Sequence, residues 1–183
     1  MSWFERQKAN LARYFYHRRS RKSRPKHDFV SLGKAQKIGI LIHVNVFNLR
    51  LTKQIADYVT HLEKNGKQVY IIELNTKKNA DPVFSDIKLS IFLNIKYFNW
   101  LGIPDHFGLA KINKHHLDIL IDLDTSDALF SRFVTGLSNA RMRVGIHREG
   151  TEPYYDMMIA VKPDTPSDTM LSQIENYLNM IHK

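Results

Sequence analysis

The sequence predicts an α/β fold: a single Rossmann-like, mostly parallel sheet with helices on both faces, preceded by a basic N-terminal helix and arm. Three observations predict it. Short apolar runs of strand length alternate with segments of helical period, the pattern of a sheet built from crossover units. Those runs are separated by helices, which implies a sheet covered on both faces. The charge is confined to one end. Residues 1–37 carry 11 Lys/Arg against 2 Asp/Glu, whereas the remaining 146 residues carry 16 of each. The organisation expected is therefore a basic amphipathic helix and arm over 1–36 and an α/β domain over 37–183, with the boundary at Val30–Ala35.

The elements follow in order. Residues 2–19 contain no Gly or Pro and read as a helix, with Phe4, Leu11, Tyr14 and Phe15 on its apolar face and Trp3 beside them. Residues 18–26 are dense in like charge and end in Pro25-Lys26, which predicts poor order without a partner. Lys37–Val44 is the first buried strand. Arg50–Lys64 is a helix with Leu51, Ile55, Tyr58, Val59 and Leu62 on one face, ended at Asn65-Gly66. Gln68–Leu74 is the second strand. Thr76–Asn94 fits no single period; Ile95–Trp100 is a weak strand candidate and Phe107–Asn113 a short helix. Leu117–Leu123 is the clearest strand, followed by a helix near Ser126–Asn139. Met142–Ile146 and Met157–Val161 are further strands. The last helix is expected to be capped by Thr165, with Pro166 in its first turn and Asp168 near its positive end.

Composition limits the chemistry. The 183 residues include no cysteine, which excludes disulfides, thiolate metal sites and cysteine nucleophiles and fits a cytoplasmic location. No apolar run approaches the ~20 residues a spanning helix needs, and no signal peptide opens the chain. The segment after the first strand, Asn45–Arg50, has no glycine. It therefore offers neither of the glycine-rich turns that let backbone approach a nucleotide phosphate, and no cofactor is expected.

The basic arm carries the main functional expectation. Arg6, Lys8, Arg13, Arg18, Arg19, Arg21, Lys22, Arg24 and Lys26 are candidate phosphate contacts, and the aromatics between them can stack on exposed bases. The leading expectation is a non-catalytic RNA-binding protein, associated with the ribosome, docking through residues 1–36. A protein groove or a membrane surface receiving Trp3, Phe4, Leu11 and Phe15 is the alternative for the same segment.

A second alternative is enzymatic. Asp122-Leu-Asp124-Thr-Ser-Asp127 follows the strongest strand, where parallel sheets bind ligands. Asp122 and Asp124 can hold Mg²⁺, and one of them can attack a phosphoryl group. The stretch resembles the first motif of the haloacid-dehalogenase phosphatases over about six residues, but only 59 residues follow Asp124, and they hold no adjacent acid pair. The structural reading is that Thr125 or Ser126 caps the next helix. The nine histidines show no ligand spacing, and His43, at the end of the first strand, is the one to inspect. Arg141, Arg143, His147 and Arg148 are further candidate phosphate contacts, with Arg141 and Arg143 on one strand face. Pairing of Arg148 with Glu149 or Glu152 is the structural reading there.

Two wider resemblances rest on particular residues. Asp118, Ile121-Asp122, Ala140-Arg141, Arg143, Gly145 and Tyr155-Asp156 are similar to a pattern in the N-terminal domain of heptosyltransferase-like glycosyltransferases, over about residues 37–161. That resemblance implies a fold. The missing glycine loop, and a length too short for a sugar-nucleotide domain, argue against transferase activity. Trp3-Phe4, Asn99-Trp100-Leu101-Gly102, Ile121-Asp122-Leu123, Leu137-Ser138-Asn139-Ala140 with Gly145, and Tyr155-Asp156 resemble a family of small bacterial proteins of unknown function. This match covers nearly the whole chain and implies no activity.

Overall fold

The computed structural model describes residues 3–23, 28–44, 49–126, 128–162 and 165–181. Six strands form one all-parallel sheet: β1 (Lys37–His43), β2 (Gln68–Asn75), β3 (Ser90–Asn94), β4 (Ile119–Asp122), β5 (Met142–Ile146) and β6 (Met157–Ile159). Their spatial order is β3-β2-β1-β4-β5-β6. The chain winds outward from β1 in one direction, then returns to place β4 on its other side, so the switch point lies between β1 and β4.

Alternation along the strands divides the core. Ile38, Ile40 and Ile42 of β1, with Ile119 and Ile121 of β4, face α2 (Leu49–Lys64) and α5 (Ser167–Asn179). Leu41 and Leu120 face the other way, toward α3 (His106–Asn113) and α4 (Leu129–Leu137). His43 and Asp122 continue that second series, so the sheet directs both toward the α4 side.

A third layer covers α4. Helix α1 (Trp3–Ser23) lies against it, and every residue from Ser131 to Leu137 is buried. Ala12, Tyr16 and Ser20, spaced by four, form the inward stripe of α1. The Tyr16 ring stacks on Phe133 at 5.3 Å and tilts against Tyr154 at 4.7 Å, while its hydroxyl donates to the Pro153 carbonyl at 3.0 Å. Close approach requires Gly136, since a Cβ there would lie 2.2 Å from the Tyr16 oxygen.

The large apolar residues Phe4, Leu11, Tyr14 and Phe15 are on the exposed side of α1, and small residues around Tyr16 are on the buried one. This seating corrects one expectation: the helix continues through Arg18, Arg19 and Arg21 to Ser23, because Tyr16 and Ser20 anchor the turns that carry them.

Other boundaries differ locally. Ile95–Tyr97 is a turn of 3₁₀ helix, capped by the Asn94 side chain accepting from the Lys96 N–H, and the strand of that region is β3, five residues earlier. The N-cap position of α5 falls on Pro166 instead of Thr165, and that of α4 on Ala128 instead of Thr125 or Ser126; neither has a side-chain cap bond.

Candidate functional site

Two regions hold the candidate residues: the outward face of α1 with the loop beside it, and the carboxyl end of the sheet at the switch point.

On α1, Arg6, Lys8, Arg13, Arg18 and Arg21 are exposed and Arg19 is half-buried. Lys22 lies in the last turn, and Arg24 and Lys26 fall outside the described residues. Among the cations stand Trp3, 75% exposed, Phe4, 68% exposed, and Tyr14, 61% exposed, with Leu11 and Phe15 also uncovered. The seating of Tyr16 thus turns a mixed basic and aromatic surface to solvent and holds it on the folded domain. Arg13 bonds the Asn10 side chain within the helix.

The C-terminal half of α1 meets the 99–104 loop. The Arg19 guanidinium donates to the Pro104 carbonyl at 2.6 Å and ties the two together. The loop is a tight turn. The Gly102 N–H bonds the Asn99 carbonyl at 2.9 Å, and Gly102 has φ +78°, a conformation open to glycine. Phe98 and Pro104 close it with an antiparallel bridge. Trp100 sits at the tip, 66% exposed. Between loop and helix lies a cavity of about 530 Å³, lined by Phe15, Arg18, Arg19, Asn99, Trp100, Leu101 and Ile103.

At the switch point, Asp122 ends β4 beside Leu41 of β1, and His43 ends β1. Asp122 is fully buried. One of its oxygens accepts from the Asp124 N–H at 3.0 Å, and the other accepts from the Thr135 hydroxyl at 3.2 Å and the Tyr155 hydroxyl at 2.9 Å. Burial, with the Asp124 charge second, pushes its carboxyl up to about 7. Burial and the neighbouring Asp122 likewise push the Tyr155 phenol up.

Asp124 accepts from the Ser126 N–H at 2.8 Å, the Ser126 hydroxyl at 2.5 Å and the Ser131 hydroxyl at 2.5 Å. The acids therefore brace the β4–α4 connection by side-chain bonds inside the loop, in place of the expected helix cap. Asp127 lies outside the described residues.

His43 completes this cluster. Its Nδ1 is 3.2 Å from the Ser126 hydroxyl and 3.6 Å from an Asp124 oxygen, and burial lowers its pKa against the opposing pull of Asp124. With the Ser126 proton spent on Asp124, Nδ1–H donates to Ser126. That leaves Nε2 an acceptor, buried and unpartnered among the described residues. The arrangement differs from a Ser-His-acid triad, in which serine and acid engage opposite ring nitrogens; here both approach Nδ1. Among the described residues no three His, Asp or Glu side chains are grouped to hold a metal ion.

The other arginine cluster is dispersed. The Arg143 side chain is fully buried and does not share a surface with Arg141. Its Nε and Nη2 meet both oxygens of Asp156 at 2.9 and 2.8 Å, and its Nη1 bonds the Gly136 carbonyl at 2.9 Å. Arg141 pairs with Asp28 at 2.7 Å and Asp118 at 3.1 Å, fastening the segment after α1 to the domain. Arg148 reaches the Thr125 carbonyl. Sequence reasoning missed the cavity and the Tyr16 anchor. The i, i+4, i+8 spacing of Ala12, Tyr16 and Ser20 was the signal for the anchor.

Fold and surface together define a doubly wound, all-parallel α/β domain with a basic aromatic helix seated as an outer layer. Among the described residues no helix is long and apolar enough to cross a membrane. The chain belongs to a family of unknown function, DUF6913, whose model matches residues 8–181. No curated protein and no solved structure matches it.

Proposed function

We propose that this protein is a non-catalytic, cytoplasmic RNA-binding protein, associated with the ribosome, that docks through the outward face of α1. One observation carries the reading: Ala12, Tyr16 and Ser20 seat the helix so that Arg6, Lys8, Arg13, Arg18 and Arg21 stay exposed among exposed aromatics. Cations on a fixed helix neutralise successive phosphates and release counterions. The helix is part of the folded domain, so little ordering cost falls on the binding step. The sheet, similar in sequence pattern to the N-terminal domain of heptosyltransferase-like enzymes, serves as scaffold. Its switch-point acids are occupied by Ser126, Ser131, Thr135 and Tyr155.

The test is binding of a structured ribosomal RNA fragment to the whole protein at stepped salt. The affinity falls steeply with salt, and replacing Arg18 and Arg21 by Ala reduces the slope of log K against log salt by about 2. A salt-independent affinity, or a slope that ignores these changes, contradicts the reading. Trp3 and Phe4, the most exposed residues at the start of α1, favour a second reading in which the helix enters a protein groove or lies on a membrane surface. In that case Trp3→Ala with Phe4→Ala abolishes binding and the arginine changes do not.

A further inference from the structure

We infer that the cavity between α1 and the Trp100 turn receives one unpaired RNA base with a carbonyl edge, uracil or guanine, while Arg18 and Arg19 hold its flanking phosphates. The inference rests on the RNA-docking reading and adds to it a pocket and a base class.

The cavity's size, about 530 Å³, falls within the range of roughly 300–1,000 Å³ common to small-ligand sites. Its floor is apolar, formed by the buried Leu101 and Ile103. Its walls are the exposed rings of Phe15 and Trp100, one from the helix and one from the turn. Flat aromatic faces beside cations are what an unstacked base and its backbone require. The backbone that carries both walls is fixed before binding. Phe15 is next to the anchored Tyr16, and Trp100 is set in a turn closed at both ends.

The polar groups give the base class. The Asn99 side-chain oxygen accepts from the Leu101 N–H at 3.0 Å and the Ile103 N–H at 3.1 Å. Those two bonds fix the amide, so Nδ2, a donor, is the group it has to offer a ligand. Arg18 and Arg19 are also donors, and the Arg19 guanidinium is held at the rim by the Pro104 carbonyl. A pocket whose side-chain polar groups are all donors matches acceptors. On the edge that faces the major groove in a duplex, uracil and guanine present acceptors alone, whereas adenine and cytosine carry an amino donor there. An anionic backbone fits the same cations. An apolar protein side chain fits the walls but offers the Asn99 amide no acceptor.

The experiment titrates fluorescein-labelled oligo-U, oligo-A and a fully paired RNA hairpin with the full-length protein at low and raised salt, following anisotropy. The variants are Trp100→Ala, Trp100→Phe and Asn99→Asp. The last keeps an oxygen for the Leu101 and Ile103 N–H groups and replaces the donor by an acceptor. Thermal unfolding of each variant, matching the parent, establishes that the fold is intact.

The expected result is about fivefold tighter binding of oligo-U than oligo-A, the net worth of one hydrogen bond to the exposed Asn99 amide. Trp100→Ala weakens oligo-U roughly 5- to 150-fold, the worth of one base stack, and leaves the salt slope unchanged. Trp100→Phe restores most of the loss, and Asn99→Asp removes the preference for oligo-U. Oligonucleotide binding that is salt-dependent but indifferent to Trp100→Ala overturns the pocket and leaves the docking surface standing. Equal affinity for oligo-U and oligo-A overturns the base class. A parent protein that binds none of the three RNAs overturns both readings.

Discussion

Replacing Tyr16 by Ala tests whether α1 belongs to the folded domain. The side chain is fully buried, stacked on Phe133 and packed on Tyr154. Truncating an aromatic of this kind costs about 3–5 kcal/mol, the lost transfer energy plus the cavity left behind. Tyr16→Phe keeps the ring contacts and removes only the bond to Pro153, at a cost of about 1 kcal/mol. For a chain of this size each kcal/mol moves the midpoint by roughly 2–4 °C, so Tyr16→Ala lowers Tm by roughly 6–20 °C and Tyr16→Phe by a few degrees. Circular dichroism in urea and on heating measures both. Gly136→Val supplies a control from the other side, because its added atoms meet the Tyr16 hydroxyl. Once Tyr16 is Ala, the penalty of Gly136→Val shrinks, and a double-mutant cycle shows the coupling. A Tyr16→Ala protein that unfolds at the parent's temperature would refute the reasoning: α1 would then be a tail, and its outward face would have no fixed geometry.

Two further predictions concern buried charge. The Asp122 carboxyl, raised from 3.8 to about 7, holds its proton in the folded state over a range where the unfolded chain releases it. Its contribution to stability is therefore complete below about pH 4, declines as pH rises toward 7 and is constant above; the full span is on the order of 4 kcal/mol. Asp122→Asn removes this dependence, so the variant gains on the parent between pH 4.5 and 7.5 in chemical denaturation, whereas parallel curves would place the titration elsewhere. Asp156→Ala removes the carboxylate that neutralises the fully buried Arg143 guanidinium and destabilises by about 3–5 kcal/mol. Arg143→Met with Asp156→Leu recovers much of that loss, and a double variant as unstable as Asp156→Ala would show that packing and not charge sets the cost.

The sequence revealed the strands that are buried on both faces and concealed the edges. Lys37–His43, Gln68–Asn75 and Met142–Ile146 are mainly apolar segments of strand length, and β5 lies where those residues place it. β3 is an edge strand with alternately buried and half-buried side chains, and the Ile-Lys-Tyr turn after it has the composition of a strand while its hydrogen bonds close a 3₁₀ turn. The face of α1 misled for a different reason. Side-chain size marked Phe4, Leu11, Tyr14 and Phe15 as one apolar face and drew attention from the packed stripe, which at Gly136 of α4 is small residues around one aromatic anchor. Asp122 and Asp124 were legible as a pair at a strand end. Their partners Ser131, Thr135, Tyr155 and His43 come from α4, β1 and the segment before β6, and only the folded chain brings these together.

The central claim is that the outer face of α1 binds ribosomal RNA. Sedimentation of the whole protein with ribosomal particles, at low and raised salt, tests it directly beside a variant carrying Arg6→Glu, Arg18→Glu and Arg21→Glu, all exposed, on an otherwise intact domain. The account predicts co-sedimentation of the parent at low salt, release as salt is raised, and no association of the variant despite an unchanged thermal midpoint. A parent protein that remains at the top of the gradient at low salt, or a variant that sediments with the particles as the parent does, would contradict it.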